Sequence, residues 1–271
     1  MNMNRPYIGI VGIKNIDEGL ITARIINAIL GKRKILHQPQ IGVQVTDRTL
    51  RGEVSESRRN PKVIEIPDIF AATLGVREDI FNVVHYTAKD PEFIYDSVCK
   101  IFQLGDMYGR GISRGLQLNG NFGKVTPEII SRIKIEYPEL KVILQIQGDA
   151  LVLMNNVQIV DELKKFNGLV DHTLIDPSGG KGQEMNVPAG IKLAKGIIEN
   201  TSVGAALAGG LNFFNVGKIV HELRAGLGTD NFSIDAEGGL RDKIGEGYGN
   251  DDFNPRKAED YFQNAVRAFE E

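Results

Sequence analysis

Residues 203–212, Val-Gly-Ala-Ala-Leu-Ala-Gly-Gly-Leu-Asn, decide the fold. The apolar run over 203–208 predicts a buried strand, a glycine pair follows it, and a helical pattern begins at 212 and continues to 223. This unit of a short strand and a helical segment recurs along the chain, with strands predicted at 7–11, 40–45, 80–86, 115–118, 141–146, 169–175, 203–208 and 232–235. Eight such units in 271 residues favour a single-domain (β/α)8 barrel, the TIM-barrel fold, over residues 1–271.

The second unit departs from this pattern. A charged stretch over 47–60 follows its strand, and we expect a long loop there before a short helix at 68–74. The other helices are predicted at 16–30, 91–104, 127–135, 157–166, 187–198, 212–223 and 255–269. Since no proline- or serine-rich linker divides the chain, we expect one domain.

Composition excludes several classes of protein. With 32 basic and 35 acidic side chains the formal net charge is −3, so no overall positive field recruits nucleic acid or an anionic membrane. One cysteine, Cys99, excludes an intramolecular disulfide, and no Cys/His spacing or cofactor motif predicts a metal or cofactor. The sequence has neither a signal-peptide pattern nor an apolar run long enough for a membrane span, which favours a cytoplasmic protein. Nothing indicates the oligomeric state.

The loops after the seventh and eighth strands predict a phosphate site. In this barrel fold, functional loops follow the carboxyl ends of the strands, and the loops after strands seven and eight often bind phosphate. Paired glycines let the backbone approach a ligand closely, and a helix N-terminus offers free N–H groups to an anion. The predicted phosphate-binding residues are Gly209, Gly210, Asn212, Asp235, Gly238 and Gly239. The alternative is a pair of unrelated tight turns.

Asp176 is the first candidate for acid–base chemistry. It follows the sixth strand directly, where its carboxyl group would point into the barrel mouth and act as a general acid. The glycine-rich stretch that follows, which includes Gly180 and Gly182, is a candidate for substrate binding. The alternative is an Asp-Pro turn followed by glycines, which is a common loop in its own right.

The end of the second strand and the third strand carry further candidates. Arg51 could clamp a phosphate or carboxylate through paired N–H donors, or belong to a solvated charged loop. Asp47 could face the pocket as a general base, or cap the loop. His85, near the end of the third strand, could be a base, although a lone histidine is more often a satisfied core residue. Cys99 lies within a predicted helix and is expected to be a buried small side chain.

Five stretches taken in order resemble one family. They are Ile-Val-Gly-Ile-Lys-Asn over 10–15, Leu-Gln-Leu-Asn-Gly over 116–120, Leu-Ile-Asp with Gly-Gly-Lys-Gly over 174–182, Ala-Gly-Gly-Leu-Asn with Asn-Val over 208–216, and Ile-Asp with Gly over 234–238. Their order and spacing resemble those of phosphoribosylanthranilate isomerase, a barrel enzyme of tryptophan biosynthesis that performs an Amadori rearrangement. The resemblance extends over essentially the whole chain.

The resemblance implies a role for each of these places. In the family an acid protonates the furanose ring oxygen, a thiolate removes the proton from the adjacent carbon, and the enolamine becomes a ketone. Asp176 would be the acid, and Arg51 would lie near the anthranilate carboxylate. Gly210 and the turn at Gly238 and Gly239 would hold the phosphate. The implied function is the isomerisation of a phosphorylated ribosyl amine or a related phosphosugar.

The departures from the family pattern concern the catalytic base. Val11 stands where the family has its catalytic cysteine, and it cannot abstract a proton. Gly9 stands at a lysine position and Asn119 at a histidine position, while Gln183 and residues 186–187 replace the family's lysine and Asp-Trp. Two other functions therefore stay open. One is a phosphate-ligand binding protein without catalysis, and the other is a lyase or epimerase whose pocket is reshaped by residues 47–60 and 245–252.

Overall fold

The computed structural model describes residues 4–31, 33, 35–55, 57–119, 122–178 and 184–271. Eight parallel strands form a closed barrel in sequential order from β1 to β8, and β8 pairs with β1. The strands are β1 Tyr7–Val11, β2 Gln38–Thr46, β3 Phe81–Thr87, β4 Gly115–Asn119, β5 Lys141–Gln147, β6 His172–Asp176, β7 Gly204–Leu207 and β8 Ser233–Ala236. The predicted (β/α)8 barrel is therefore confirmed.

Helices surround the barrel and connect successive strands. They are α1 Ile16–Leu30, α2 Asp47–Leu50, α3 Ile66–Val76, α4 Ile94–Gln103, α5 Pro127–Glu136, α6 Asp149–Leu153, α7 Asn156–Lys164, α8 Val187–Asn200, α9 Val216–Leu227 and α10 Pro255–Glu270. Asparagine side chains cap several N-termini, as at α1, where Asn15 accepts a hydrogen bond from the Glu18 amide at 2.8 Å. Within the described part of the chain, no helix is long and apolar enough to cross a bilayer.

Two sequence expectations about helices were wrong. The stretch over 47–60 is not a loop throughout, because Thr46 forms a reciprocal capping box with Thr49 and starts α2 directly after β2. The helix expected from residue 212 begins only at Val216. The reason is local: Asn212 accepts hydrogen bonds from the amides of Phe214 and Asn215 and so holds a turn before the helix.

A small antiparallel sheet lies beside the barrel and was not predicted. It consists of β9 Arg241–Lys243 and β10 Asp251–Phe253, which follow β8. Each strand has only three residues, which is too short for an alternating pattern to identify in sequence. The turn between the strands carries Tyr248, which borders the barrel mouth.

The barrel interior has two layers with different chemistry. One layer is an apolar cluster, here called the interior floor; it consists of Tyr7, Phe81, Val83, Ile143, Leu174, Ala206 and Ala208, of which Leu174 and Ala208 reach the barrel mouth. Above the floor lie buried polar side chains, here called the polar layer: His85, Gln117, Gln145, Asp176 and Asp235. Because side chains two residues apart on a strand share a face, strands β3, β5 and β6 supply residues to both layers. The polar layer positions the site.

Candidate active site

A cavity of about 400 Å³ opens at the carboxyl-terminal mouth of the barrel. Its size suits a small-molecule ligand, since such sites commonly enclose about 300–1,000 Å³. The strands supply Val11, Gln44, Thr46, His85, Thr87, Gln117, Asn119, Gln145, Gln147, Leu174, Asp176, Asp235 and Ala236, and the connecting segments add Arg48, Ser55, Ser57, Asn60, Ser178, Ala208, Gly209, Gly210, Leu211, Glu237, Gly238, Gly239 and Tyr248. Polar amides and hydroxyl groups make up much of this lining.

Asp176 ends β6 with its carboxyl group in the cavity, where the sequence predicts it. The side chain is 5% exposed. One oxygen accepts a hydrogen bond from Gln145 Nε2 at 2.9 Å, and the other accepts from the Ser178 amide at 2.9 Å and the Ser178 hydroxyl at 2.8 Å. These three donors fix the orientation of the carboxylate, so its lone pairs have a defined direction toward the cavity.

The glycine loops after β7 and β8 meet at one side of the same cavity. A Cβ atom on Gly239 would lie 2.1 Å from the Leu211 carbonyl oxygen. The two loops therefore approach each other more closely than a residue with a side chain at position 239 would permit. Gly209 and Gly210 have φ values of 117° and 63°, which favour glycine. Their amide N–H groups donate to no acceptor among the described residues. These amides are therefore available to an anion.

Asn212 supports this loop rather than lining the cavity. Its side-chain amide donates to the Gly210 carbonyl at 3.1 Å, and Asn215 Nδ2 donates to the same oxygen at 3.0 Å. The phosphate-binding role predicted for Asn212 is thus replaced by a positioning role, because its hydrogen-bonding groups face the loop backbone. Gly238, in contrast, borders the cavity as expected.

Asp235 lies deeper, at the end of β8 beside β1. It is 6% exposed and pairs in register with Gly9, and a Cβ atom on Gly9 would lie 2.3 Å from Asp235 Oδ1. The absence of a side chain at residue 9 therefore leaves the space that this carboxyl group occupies. Burial raises the pKa of Asp235 well above its ordinary value, and the nearby carboxyl groups of Glu237 and Asp176 raise it further. Both effects favour the uncharged form of Asp235.

Glu237 and an ion-pair network at the rim were not found from the sequence. Glu237 accepts hydrogen bonds from Gln44 Nε2 and Arg59 Nη1, both at 2.7 Å. Burial raises the pKa of Glu237, whereas the charge of Arg59 opposes that shift. The partners are separated by almost two hundred residues, so no local pattern in the sequence pairs them.

The same network joins the segment after α2 to the small sheet. Asp251 binds both Arg59 and Arg241, with Nε–Oδ1 distances of 3.0 and 2.6 Å. Burial alone would raise the pKa of Asp251, but the hydrogen bonds from the two arginines outweigh it and hold the pKa below its usual value. The Arg59 guanidinium also lies 4.4 Å from the centre of the Tyr248 ring. These contacts hold two rim segments together beside the cavity.

Asp47 and Arg51 do not border the cavity, contrary to the roles predicted for them. The Asp47 carboxylate accepts hydrogen bonds from the Tyr86 hydroxyl and, at 2.6 Å, from the Lys89 amide. Arg51 is 62% exposed and donates to Glu53 at 2.8 Å. Helix α2 explains both positions, since it turns Asp47 toward the end of β3 and Arg51 outward. Asp47 therefore has the capping role and Arg51 the solvated one.

The remaining candidates are placed as follows. His85 borders the cavity, but it is fully enclosed, with Nε2 3.2 Å from Gln40 Nε2, and burial lowers its pKa to about 3. A histidine with that pKa is a weak base. Val11 is 2% exposed and presents only methyl groups to the cavity. Gly180 and Gly182 lie outside the described residues. No group of His, Cys, Asp and Glu that could hold a metal occurs within the described ranges.

Comparison with known proteins supports the fold and no specific family. No protein-family model and no curated protein matches the sequence. The carboxyl transferase domain of Rhizobium etli pyruvate carboxylase with 3-bromopyruvate is similar, with a TM-score of 0.55 and 10% identity over 99% of this chain and 48% of that chain. N-acetylneuraminic acid (sialic acid) synthetase from Leptospira borgpetersenii serovar Hardjo-bovis has a TM-score of 0.52 and 12% identity over 98% of this chain and 85% of that chain.

The complex of the same carboxyl transferase domain with pyruvate has a TM-score of 0.52 and 12% identity over 99% of this chain and 49% of that chain. This chain thus spans about half the length of those carboxyl transferase structures. At these identities the likeness concerns the backbone fold. The chain shares a TIM-barrel fold with these enzymes, and the resemblance to phosphoribosylanthranilate isomerase stays a prediction.

Proposed function

We propose that the protein isomerises a small phosphorylated sugar or ribosyl amine by acid–base catalysis at the carboxyl-terminal mouth of its barrel. The observation that supports this most is the combination of groups in one cavity. Asp176 presents an oriented carboxylate there, and the amides of Gly209 and Gly210 lack described acceptors. An anion-binding loop and a proton-transfer group in one cavity are what the isomerisation of a phosphorylated substrate needs.

The phosphate group would bind to the backbone amides of the loops after β7 and β8. Two nearby carboxyl groups would repel an anion if they were fully charged. Burial favours the uncharged form of Asp235, and Arg59 lies against Glu237. The local charge is therefore compatible with a phosphate, although Asp235 itself offers no cationic contact. We accordingly assign Asp235 to proton transfer rather than to the phosphate-binding role expected from the sequence.

Proton transfer would be divided between Asp235 and Asp176. A raised pKa suits Asp235 as the acid, and the hydrogen-bonded carboxylate of Asp176 suits a base, which reverses the role expected for Asp176. In an Amadori-type reaction, Asp235 protonates the ring oxygen as the C1–O bond breaks and an iminium forms. Asp176 removes the C2 proton and returns it to C1, and the C2 hydroxyl proton restores Asp235 as the ketone forms. Protons and electrons balance without a cysteine.

A second candidate function is ligand binding without turnover. Val11 favours it, because this cavity residue has no titratable group where the resemblance implies a thiolate. A lyase or epimerase would use the same pair of carboxyl groups on a different phosphosugar. These alternatives differ in the product that appears, or in whether any product appears.

The test is to incubate the purified protein with phosphoribosylanthranilate, ribose 5-phosphate and glucosamine 6-phosphate in D₂O, followed by proton NMR. We expect deuterium to enter at C1 of the ketose product, because the proton taken from C2 exchanges with solvent before it is delivered to C1. Asp176→Asn should lower the rate by about 10²–10⁴-fold. Thermal stabilisation by the same ligand should persist in that variant. Asp47→Asn is the matched control and should keep its turnover, since Asp47 lies outside the cavity.

Each other outcome selects a different function. Undiminished turnover in Asp176→Asn would remove Asp176 from the mechanism. Thermal stabilisation of the wild-type protein without product or deuterium exchange would establish the binding protein. If no phosphorylated ligand binds to protein shown to be folded, the proposed phosphate site is wrong.

A further inference from the structure

A glutamine that borders the cavity has a buried hydrogen-bond acceptor that the described protein does not satisfy. Gln145 Nε2 donates to an oxygen of Asp176, and since a carboxylate oxygen only accepts, this contact fixes which end of the amide is nitrogen. Gln145 Oε1 then points elsewhere and has no described donor, although Gln145 is 5% exposed and borders the cavity. A buried acceptor without a donor is unfavourable, so a ligand that supplies one gains affinity.

Gln117, on the neighbouring strand β4, repeats this arrangement. Its Nε2 donates to Asn119 Oδ1 at 2.9 Å, which leaves Oε1 without a described partner. Gln117 is 1% exposed and also borders the cavity. Two glutamines on adjacent strands, each with a buried amide oxygen that has no described donor, thus border the same cavity as Asp176.

The charged and aromatic groups around the cavity point to the same ligand chemistry. Arg48 supplies the basic side chain among the described lining residues; it is 54% exposed at the rim and paired with Glu53. The aromatic rings among the described lining residues are the imidazole of His85 and the phenol of Tyr248. The described deep part therefore offers no cation to a ligand carboxylate and little aromatic surface for stacking. It offers acceptors, and their complement is a set of O–H or N–H donors.

We propose that this site selects a phosphorylated aliphatic sugar or aminosugar whose hydroxyl or ammonium groups donate to Gln145 and Gln117, in preference to a ligand with an aryl group. The inference rests on the proposed function, because it takes the phosphate to lie on the loops after β7 and β8. It departs from the resemblance, which implies an anthranilate ring and its carboxylate in the pocket. The cavity of about 400 Å³ accommodates a pentose or hexose phosphate.

The experiment is calorimetric titration of the full chain with three probes. Ribose 5-phosphate carries phosphate and hydroxyl donors, phenyl phosphate carries phosphate and an aryl ring, and inorganic phosphate carries neither group. We expect ribose 5-phosphate to bind at least tenfold more tightly than phenyl phosphate. Gln145→Met, which keeps the side-chain volume but removes the acceptor, should weaken ribose 5-phosphate by about tenfold, or about 1.4 kcal/mol.

The same variant should leave the affinity for inorganic phosphate unchanged. Gln117→Met is the second test variant, should Gln145→Met fail to fold. Gln103→Met, on the exposed outer face of α4, is the control and should bind all three probes as the wild type does. Equal affinity for ribose 5-phosphate and phenyl phosphate would overturn this inference but not the proposed function. An unchanged preference for ribose 5-phosphate in the folded glutamine variants would do the same. Failure of all three probes to bind would overturn the proposed function with it.

Discussion

The interior floor and the polar layer share strands β3, β5 and β6 but differ in their chemistry. Along β5, Ile143 belongs to the interior floor and Gln145, two residues later, to the polar layer. Along β6, Leu174 and Asp176 show the same change. The floor gains stability from apolar burial, whereas each group of the polar layer loses hydration and needs a partner. Apolar burial in the floor therefore stabilises the fold, whereas the polar groups that are unfavourable to bury gather beside the cavity.

The largest effect that we expect on folding concerns the ion pairs at the upper end. Asp251 and Asp252 are consecutive, yet Asp251 is buried between Arg59 and Arg241, whereas Asp252 binds Arg58 at the surface. Asp251→Ala leaves the buried Arg241 guanidinium without its carboxylate and should lower the free energy of unfolding by about 3–5 kcal/mol. Asp252→Ala should lower it by about 0–1 kcal/mol. Urea denaturation of the two variants measures both. Equal losses would show that burial does not distinguish the two carboxylates.

The second effect concerns the interior floor. Ile143 is fully buried there, and Ile143→Ala should lower the free energy of unfolding by about 2–5 kcal/mol through lost transfer energy and a cavity. Urea denaturation measures this loss. Calorimetry on the folded variant should give the wild-type affinity for inorganic phosphate, because Ile143 is not among the residues that border the cavity. A large change in that affinity would show that the two halves of the barrel are coupled rather than separate in function.

A smaller effect is the pH dependence that residues of the polar layer give to the free energy of unfolding. Burial holds His85 neutral with a pKa of about 3, below its ordinary value of 6.5. Between those values the unfolded chain binds the proton and the folded chain does not, so His85 costs stability as the pH falls below 6.5. As the pH falls below 6.5, the free energy of unfolding of His85→Gln should therefore rise relative to that of the wild type, by up to about 1.4 kcal/mol per pH unit.

The contribution of Asp235 to stability changes with pH in the opposite direction, so Asp235→Asn serves as the control for the His85 variant. Its pKa is raised in the folded protein, so the folded chain binds more protons above the ordinary value of 3.8. Its contribution to stability is present at low pH and is lost as the pH rises through the folded-state pKa. Asp235→Asn should thus gain stability relative to wild type on alkalinisation. Urea titrations at a series of pH values measure both variants, and slopes of the same sign would contradict these protonation states.

Much of the fold was accessible from the sequence because it depends on repeated local patterns. Eight buried apolar runs with helical segments between them specify the barrel, and residues at strand ends, such as Asp176 and Gly210, then follow from the geometry of the fold. Helix α2 was missed because a charged stretch looks solvated, although Thr46 caps it. That error misplaced Asp47 and Arg51.

Other parts of the site depend on contacts that no local pattern encodes. Arg59 and Asp251 meet across 192 residues, so their pairing follows from the closed barrel rather than from spacing. Gln117 and Gln145 were accessible in principle. Each occupies an alternate position of a buried strand, and the period of two predicts that both face the interior. The raised pKa of Asp235 depends on its burial in the structure, which the sequence does not give.

The most direct test asks whether the upper end of the barrel binds phosphate on its backbone. Uniformly ¹⁵N-labelled protein is titrated with inorganic phosphate, and the backbone amide resonances are followed. The largest shifts should fall on Gly209 and Gly210, with smaller ones on Gly238 and Gly239, and they should saturate. Saturating shifts elsewhere on the molecule, or none at these glycines in folded protein, would contradict the proposed phosphate site.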